Sequence, residues 1–319
     1  MGNEKKLTII IPLYNVAKYV ARAAESITNQ RGVDFKHIEI IAVDDGSTDH
    51  SLKEIVSHFT SKNLHIRAMT QENTGPGGAR NTGIQAATGK YIMFLDGDDF
   101  YLPNTFRNIF AIIERPSPPN IIYGNYIRWM EGHGYLQTTN NSWNSAWRYI
   151  CCREFILENA LLFEPTMYCE DMKWVLELLD KGESATIVTL PAPFYAYNYR
   201  RPDSIMNSTN PKRVIDLIAI VSEALEGYKT KGKYTGQKIL GVLGGKTIGQ
   251  NLRWQAFYYV NEYCTFKKHQ RKEIYAGYKK AKLWCYHPLQ FWTMSAMLYA
   301  FKQTRRLLKY NKRNMAYEA

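Results

Sequence analysis

The chain has 319 residues, 45% of them apolar, which suits one large or two modest domains of globular composition. Its net charge of +12 is lopsided: Lys and Arg number 20 against 23 Asp and Glu in residues 1–210, but 21 against 6 in residues 211–319. Five cysteines, an odd number with no Cys-x-x-Cys, argue against a disulfide framework or structural zinc, and no stretch reaches the roughly 20 apolar residues of a membrane span.

The first hundred residues alternate strand and helix patterns. Residues 7–11 read as a strand ended by Pro12, and Val16, Val20, Ala23, Ala24 and Ile27 recur at helical spacing up to about Gln30. A second strand is predicted over 38–43, a helix marked by Leu52, Ile55, Val56 and Phe59, and a more polar strand over 64–69. The Gly-rich segment 73–81 then leads into a short helix. Residues 91–95 form a continuous apolar run, as in a strand buried on both faces. Further on come a helix after Pro103, a strand over 121–124 and a hairpin turning at Gly132-His133-Gly134. A helix over 171–180 carries Met172, Val175, Leu176 and Leu179 on one face, and a strand follows over 185–190. From Pro211 onward the pattern is helical. The fold class predicted is α/β: a doubly wound, mostly parallel sheet flanked by helices, with a helical C-terminal extension. Residues 1–210 would be the catalytic domain, with nucleotide binding in about 1–100 and the acceptor and catalytic part in about 101–210; residues 211–319 would be a basic helical region.

Three strands end on polar clusters: Pro12-Leu13-Tyr14-Asn15, Asp44-Asp45-Gly46-Ser47-Thr48-Asp49 and Asp96-Gly97-Asp98-Asp99. In a parallel sheet all three would lie along the carboxyl edge, where open α/β folds bind ligands. Asp96 and Asp98 share a face of an extended chain, and two hard oxygen donors there suit Mg²⁺ or Mn²⁺ shared with a substrate phosphate. Gly97 lets the backbone between them turn tightly or approach a ligand. Tyr14 offers a ring for a nucleobase, and Asp45 an acceptor for the imide N–H of a uracil-like base. Asp49 reads as the cap of the next helix.

Residues 10–15 (Ile-Ile-Pro-Leu-Tyr-Asn), 43–49 (Val-Asp-Asp-Gly-Ser-Thr-Asp), 78–81 (Gly-Ala-Arg-Asn) and 95–99 (Leu-Asp-Gly-Asp-Asp) together resemble the family-2 glycosyltransferases of GT-A fold. Phe163 and then Glu170-Asp171 at the head of a helix resemble that family's Glu-Asp motif, and the likeness covers about residues 5–210. The resemblance implies an inverting transferase that uses a nucleotide-diphosphate sugar and a divalent cation. By it, Pro12, Tyr14 and Asp45 contact the base, Asp96 the ribose, Asp98 the metal, and Asp171 is the catalytic base. A helix N-terminus favours the ionised form of Asp171, though a plain helix cap would look the same. Residues 197–205 resemble a family segment with two spaced Arg residues; Arg201 fits one, but Tyr199 stands at the first. Arg201 and Arg80 are candidates for the diphosphate, since a guanidinium matches phosphate geometry.

Residues 241–247 only imitate a phosphate loop: the first glycine of Gly-x₄-Gly-Lys-Thr would fall on Leu240. In the cationic third, Met294, Met297, Leu298, Phe301 and Leu308 follow helical spacing beside Lys302, Arg305, Arg306, Lys309 and Arg313, a pattern that fits an anionic membrane surface and equally a helix packed on the catalytic domain with a solvated outer face. The expected partners are thus a nucleotide-diphosphate sugar, a saccharide or lipid-linked acceptor and an inner-leaflet surface, with a cytoplasmic or peripheral location and no nucleic acid. A sugar-phosphate nucleotidyltransferase is the alternative, although it would carry a Gly-rich basic loop after the first strand. A nucleic-acid-binding protein is a weaker one, prompted by charge alone.

Overall fold

The structure, a computed structural model, describes residues 4–136, 144–199, 210 and 212–231. It opens as alternating strands and helices: β1 (Leu7–Leu13), α1 (Ala17–Thr28), β2 (Ile38–Asp44), α2 (Ser51–Ser61), β3 (Arg67–Thr70), α3 (Gly75–Ala86) and β4 (Tyr91–Phe94). There follow β5 (Phe100–Tyr101), α4 (Thr105–Ile113), β6 (Ile121–Tyr123), β7 (Tyr126–Met130), β8 (Gly134–Leu136), β9 (Tyr149–Cys152), α5 (Arg153–Glu158), α6 (Glu170–Lys181), β10 (Ile187–Thr189) and β11 (Tyr195–Asn198). A second unit opens near residue 209, and the helix α7 (Lys212–Lys231) begins within it. Residues 232–319, with the predicted basic amphipathic helix and the false phosphate loop, lie outside the described residues, as does Arg201.

The main sheet has seven strands in the order β10-β6-β9-β4-β1-β2-β3. β4, β1, β2 and β3 are mutually parallel, so the ends of β1, β2 and β4 share one edge, as the sequence predicts. All residues of β1 and β4 are buried, in keeping with their unbroken apolar runs. β9, which the sequence pattern does not announce, runs antiparallel between β4 and β6. A smaller sheet, β5-β11-β7-β8, contains the hairpin that turns at Gly132-His133-Gly134.

The helices bury the faces their spacing predicts: Val20, Ala23, Ala24 and Ile27 on α1, joined by Tyr19, and Met172, Val175, Leu176 and Leu179 on α6. α2 differs slightly. Ile55 and Phe59 are buried, but Leu52 and Val56 are half-exposed on a shallow surface beside Lys53 and Ser57. The third strand also starts later than expected, at Arg67. Asn63 is left-handed (φ 52°) and the Leu64 N–H donates to the Phe59 carbonyl, so Leu64 closes α2.

Pro12 does not end β1. It pairs in register with Val43, and the strand continues to Leu13. Leu13 C=O accepts from Asp45 N on the β2 side, so Pro12, one residue earlier, turns its missing donor toward β4. There the pairing has already stopped at Ile10 with Phe94, and no ladder bond is lost.

Candidate active site

The Gly-rich segment is itself helical, because α3 begins at Gly75. Its opening turn is capped from another strand. Asp45, at the end of β2, accepts from Thr74 N (2.9 Å) and Gln71 Nε2 (2.8 Å) on Oδ1, and from Gly75 N (2.8 Å) on Oδ2. A carboxylate on free helix N–H groups is stabilising, and Pro76 beside it needs no donor. The neighbouring β1 and β2 ends are laced together: Asn15 Oδ1 accepts from Thr48 N at 2.8 Å, and Asn15 N donates to Ser47 Oγ at 3.1 Å. Asp49 caps two helices, accepting from Ser51 N (2.9 Å) and Ala17 N (3.0 Å). Tyr14 projects from this rim and is 52% exposed.

From α3, Arg80 and Asn81 reach in different directions. Asn81 grips the Phe163 backbone reciprocally, accepting from its N–H and donating to its C=O, both at 2.8 Å. Phe163 stacks on Trp174 of α6 (4.9 Å between centroids), and Phe94 meets both rings edge-on. This aromatic trio fixes α6 against the end of β4. A Cβ at Gly77 would come within 3.1 Å of Glu170 Cγ and 3.0 Å of Phe163 Cβ, so any side chain there would push on the junction between α3 and α6.

Into the resulting junction points the Arg80 guanidinium, 2% exposed. Nη2 donates to Asp96 Oδ1 at 2.7 Å; Nη1 donates to Glu170 Oε1 at 2.7 Å and to Asp171 Oδ1 at 3.2 Å. Asp171 Oδ2 in turn accepts from Ala146 N at 3.4 Å. One cation thus faces three acids. Burial opposes the Arg80 charge, but Asp171, Asp96 and Glu170 together push its pKa well above the ordinary arginine value. Burial, then Asp171, pushes Glu170 well above the ordinary carboxylate range against the pull of Arg80. Asp96 is raised by burial, with Arg80 opposing and Asp171 and Asp98 adding. Glu170 and Asp96 therefore hold protons that isolated carboxylates would lose.

The acidic loop after β4 is built as tightly. A Cβ at Gly97 would meet Leu13 Cδ2 and Val16 Cγ2 at 2.9 Å and Pro12 O at 3.3 Å. Gly97 thus lets the loop pack flush on the end of β1. Asp99 is buried and structural: it accepts from Tyr195 Oη and Asn198 N, both at 2.7 Å, and burial followed by Asp98 and Asp96 raises its pKa well above normal. The same Tyr195 hydroxyl accepts from Asp96 N at 3.2 Å. Trp147 stacks on Tyr195 at 4.2 Å, one residue beyond the Ala146 N–H that meets Asp171. Among the described residues no group of three His, Cys, Asp or Glu forms a closed metal cage. The half-buried Asp98 and its neighbour Asp96 offer hard oxygen donors, a set that fits Mg²⁺ or Mn²⁺ sharing its coordination with substrate phosphate.

The structure therefore brings Arg80, Asp96 and Asp171 into direct contact and places Pro12, Tyr14, Asp45 and Asp98 along the same sheet edge. Arg80 faces carboxylates on every hydrogen bond it makes among the described residues. Tyr195 and Asn198, which reach the acidic loop from about a hundred residues away, and Trp147, which stacks on Tyr195, carry no local signal in the sequence.

A family model described as glycosyl transferase family 2 matches residues 8–175. Glycosyltransferase GlyA of Streptococcus pneumoniae is 33% identical over 173 residues, covering 53% of this chain and 23% of that protein. EpsJ of Bacillus subtilis, an uncharacterized glycosyltransferase, is 30% identical over 222 residues, 62% of each chain. The match spans less than two thirds of either relative. Residues 1–349 of Staphylococcus aureus TarS, solved with UDP-GlcNAc, superpose with a TM-score of 0.66 at 19% identity, covering 86% of this chain and 81% of that one. The mannosyltransferase PcManGT of Pyrobaculum calidifontis, solved with GDP-Man and Mn²⁺, gives 0.55 at 17%, covering 92% and 85%. At such identities the structural likeness speaks for the fold, and it agrees with the sheet and edge described above. With the family model matching more than half of its length, the chain belongs to glycosyl transferase family 2.

Proposed function

We propose that the chain is an inverting glycosyltransferase that moves a sugar from a nucleotide-diphosphate sugar, a UDP-sugar first among them, to a hydroxyl of a saccharide or lipid-linked acceptor. The observation that carries this reading is the Arg80 bridge, which holds Asp96 of the donor-side loop and Asp171 of α6 on one guanidinium. A donor lying along the β1–β2–β4 edge would then present its sugar beside Asp171. The solved relatives lend support to the donor class, since one was solved with UDP-GlcNAc and another with GDP-Man and Mn²⁺.

Tyr14 would stack on the base, with Pro12 beneath. Asp45 is 2% exposed and its Oδ2 accepts from Gly75 N, so it would take the base's imide N–H only from a base seated directly on the end of β2. Asp96 would take the ribose hydroxyls, and Arg201 the diphosphate. Asp98 would hold the divalent cation, whose Lewis acidity stabilises charge on the departing diphosphate when bound. Asp171 takes the proton of the acceptor hydroxyl as its oxygen attacks the anomeric carbon; the bond to the diphosphate oxygen breaks on the opposite face, and the nucleoside diphosphate leaves. Arg80 keeps the Asp171 carboxylate aimed, and Ala146 N restrains its other oxygen. A surface polysaccharide is the proposed product class, in keeping with GgaB of Bacillus subtilis, a minor teichoic acid biosynthesis protein 32% identical over 178 residues. The nucleotidyltransferase alternative lacks its Gly-rich basic loop, since β1 ends in Pro12-Leu13-Tyr14-Asn15.

The test is Asp171→Asn assayed with UDP- and GDP-sugars and Mn²⁺. It should bind donor as the wild type does, by thermal shift or calorimetry, while transfer falls roughly 10²–10⁴-fold. Retained transfer would refute Asp171 as the base.

A further inference from the structure

The backbone of Asp98 is held from two sides by side chains outside the acidic motif. Arg22 on α1 donates from Nη2 to the Asp98 carbonyl oxygen at 3.3 Å. Asn198 on β11 donates from Nδ2 to the same oxygen at 3.2 Å. The Arg22 guanidinium is itself fixed, lying 3.9 Å from the Trp129 ring centroid and 5.0 Å from that of Phe100. On the loop's other side Gly97 is flush against Leu13 and Val16. Asp98 is thus clamped between α1, the end of β1 and the small sheet, and its side chain leaves a backbone with little freedom to rotate. Burial draws the Arg22 pKa down from the ordinary arginine value while Glu131, Asp99 and Asp98 oppose it, so the charge sits where those acids can hold it.

We propose that Arg22 is a positioning residue for Asp98: by pinning the Asp98 carbonyl while stacked on Trp129, it sets the direction of the carboxylate and with it the affinity for the divalent cation. The inference rests on reading Asp98 as the cation ligand. Stacking on an indole and donating an in-plane N–H at the same time need a flat, multiply donating cation, which arginine supplies and lysine does not. Groups that orient a metal ligand without touching the ion typically change metal affinity by about 10–100-fold when removed.

The experiment is Mn²⁺ binding to the full chain in the presence of UDP, read as loss of the free-ion electron paramagnetic resonance signal, with thermal unfolding in parallel. Wild type, Asp98→Asn, Arg22→Ala, Arg22→Lys and Asn198→Ala are compared. The expected result is loss of binding in Asp98→Asn, about 10-fold or more weakening in Arg22→Ala, and incomplete rescue in Arg22→Lys. Asn198→Ala should weaken binding too, and its effect should not add fully to that of Arg22→Ala because both donors hold one oxygen. Wild-type affinity in Arg22→Ala alongside lost binding in Asp98→Asn overturns the inference and spares the reading of Asp98. Wild-type affinity in Asp98→Asn overturns both. Should Arg22→Ala fail to fold, wild-type affinity in Arg22→Lys overturns the inference.

Discussion

Arg80 and Asp171 lie 91 residues apart in the chain, yet Nη1 of one stands 3.2 Å from Oδ1 of the other, with Asp96 and Glu170 on the same guanidinium. The proposed base and a proposed donor-binding residue are therefore positioned by one buried cation. Neither can shift without disturbing the other.

Arg80→Ala should cost both stability and activity. Removing the cation leaves Asp96, Glu170 and Asp171 crowded and uncompensated, and breaking a buried ion pair typically costs about 3–5 kcal/mol. Chemical denaturation at neutral pH would show this as a lower midpoint with an unchanged slope. Arg80→Lys keeps the charge but not the fork, so it should recover part of the stability and little of the transfer rate.

The pH dependence of stability follows from Glu170, Asp96 and Asp99, all raised in the folded state. Between the ordinary carboxylate value and the raised one, the folded chain binds more protons than the unfolded chain. Stability then falls as pH rises through that window. The unfolding temperature should accordingly increase as pH is lowered through that window towards the ordinary carboxylate range. Glu170→Gln retains an acceptor for Arg80 Nη1 but no longer takes up a proton, so it should flatten the slope and raise stability at the alkaline end. An unchanged slope in differential scanning fluorimetry would contradict the assignment.

Asp45→Ala should destabilise the domain by about 1–2 kcal/mol through loss of the acceptor for Thr74 and Gly75 at the head of α3. Because that cap also places Arg80, UDP affinity and transfer should both drop. Asp45→Asn should restore only one of the two cap bonds, to Thr74 or to Gly75, while weakening the proposed contact to a uracil-like base, and isothermal calorimetry with UDP beside chemical denaturation separates the two.

Gly97→Ala places a methyl group against Leu13, Val16 and the Pro12 carbonyl. Overpacking of this kind costs typically about 1–3 kcal/mol. Displacement of the Asp98 loop should weaken donor binding more than it lowers the unfolding temperature, which a ligand-dependent thermal shift would reveal.

Much of the architecture is legible in the residues alone. The apolar runs of β1 and β4 and the helical stripes of α1 and α6 declare themselves through periodicity, because burial on one or two faces dictates which positions must be apolar. The polar clusters at three strand ends mark the carboxyl edge of the sheet, because the apolar runs they follow stop there. Other features are silent. β9 is short, and its antiparallel place between β4 and β6 depends on pairings that no local pattern encodes. The helix inside residues 73–81 is hidden because glycine-rich chain favours helix poorly; a carboxylate thirty residues earlier caps it.

What the sequence by itself determined is the sheet, its carboxyl edge and the acids that gather there, since hydrophobic spacing and strand-end chemistry are local properties. What only the tertiary structure decided is how those acids are divided among tasks. Arg80 grips Asp96, Glu170 and Asp171; Asp99 turns inward to Tyr195 and Asn198; Asp45 caps α3; and the Asp98 backbone is pinned by Arg22 and Asn198. Each assignment depends on a partner distant in the chain. A carboxylate's role is set by the donors and burial around it, and those exist only once the chain has folded.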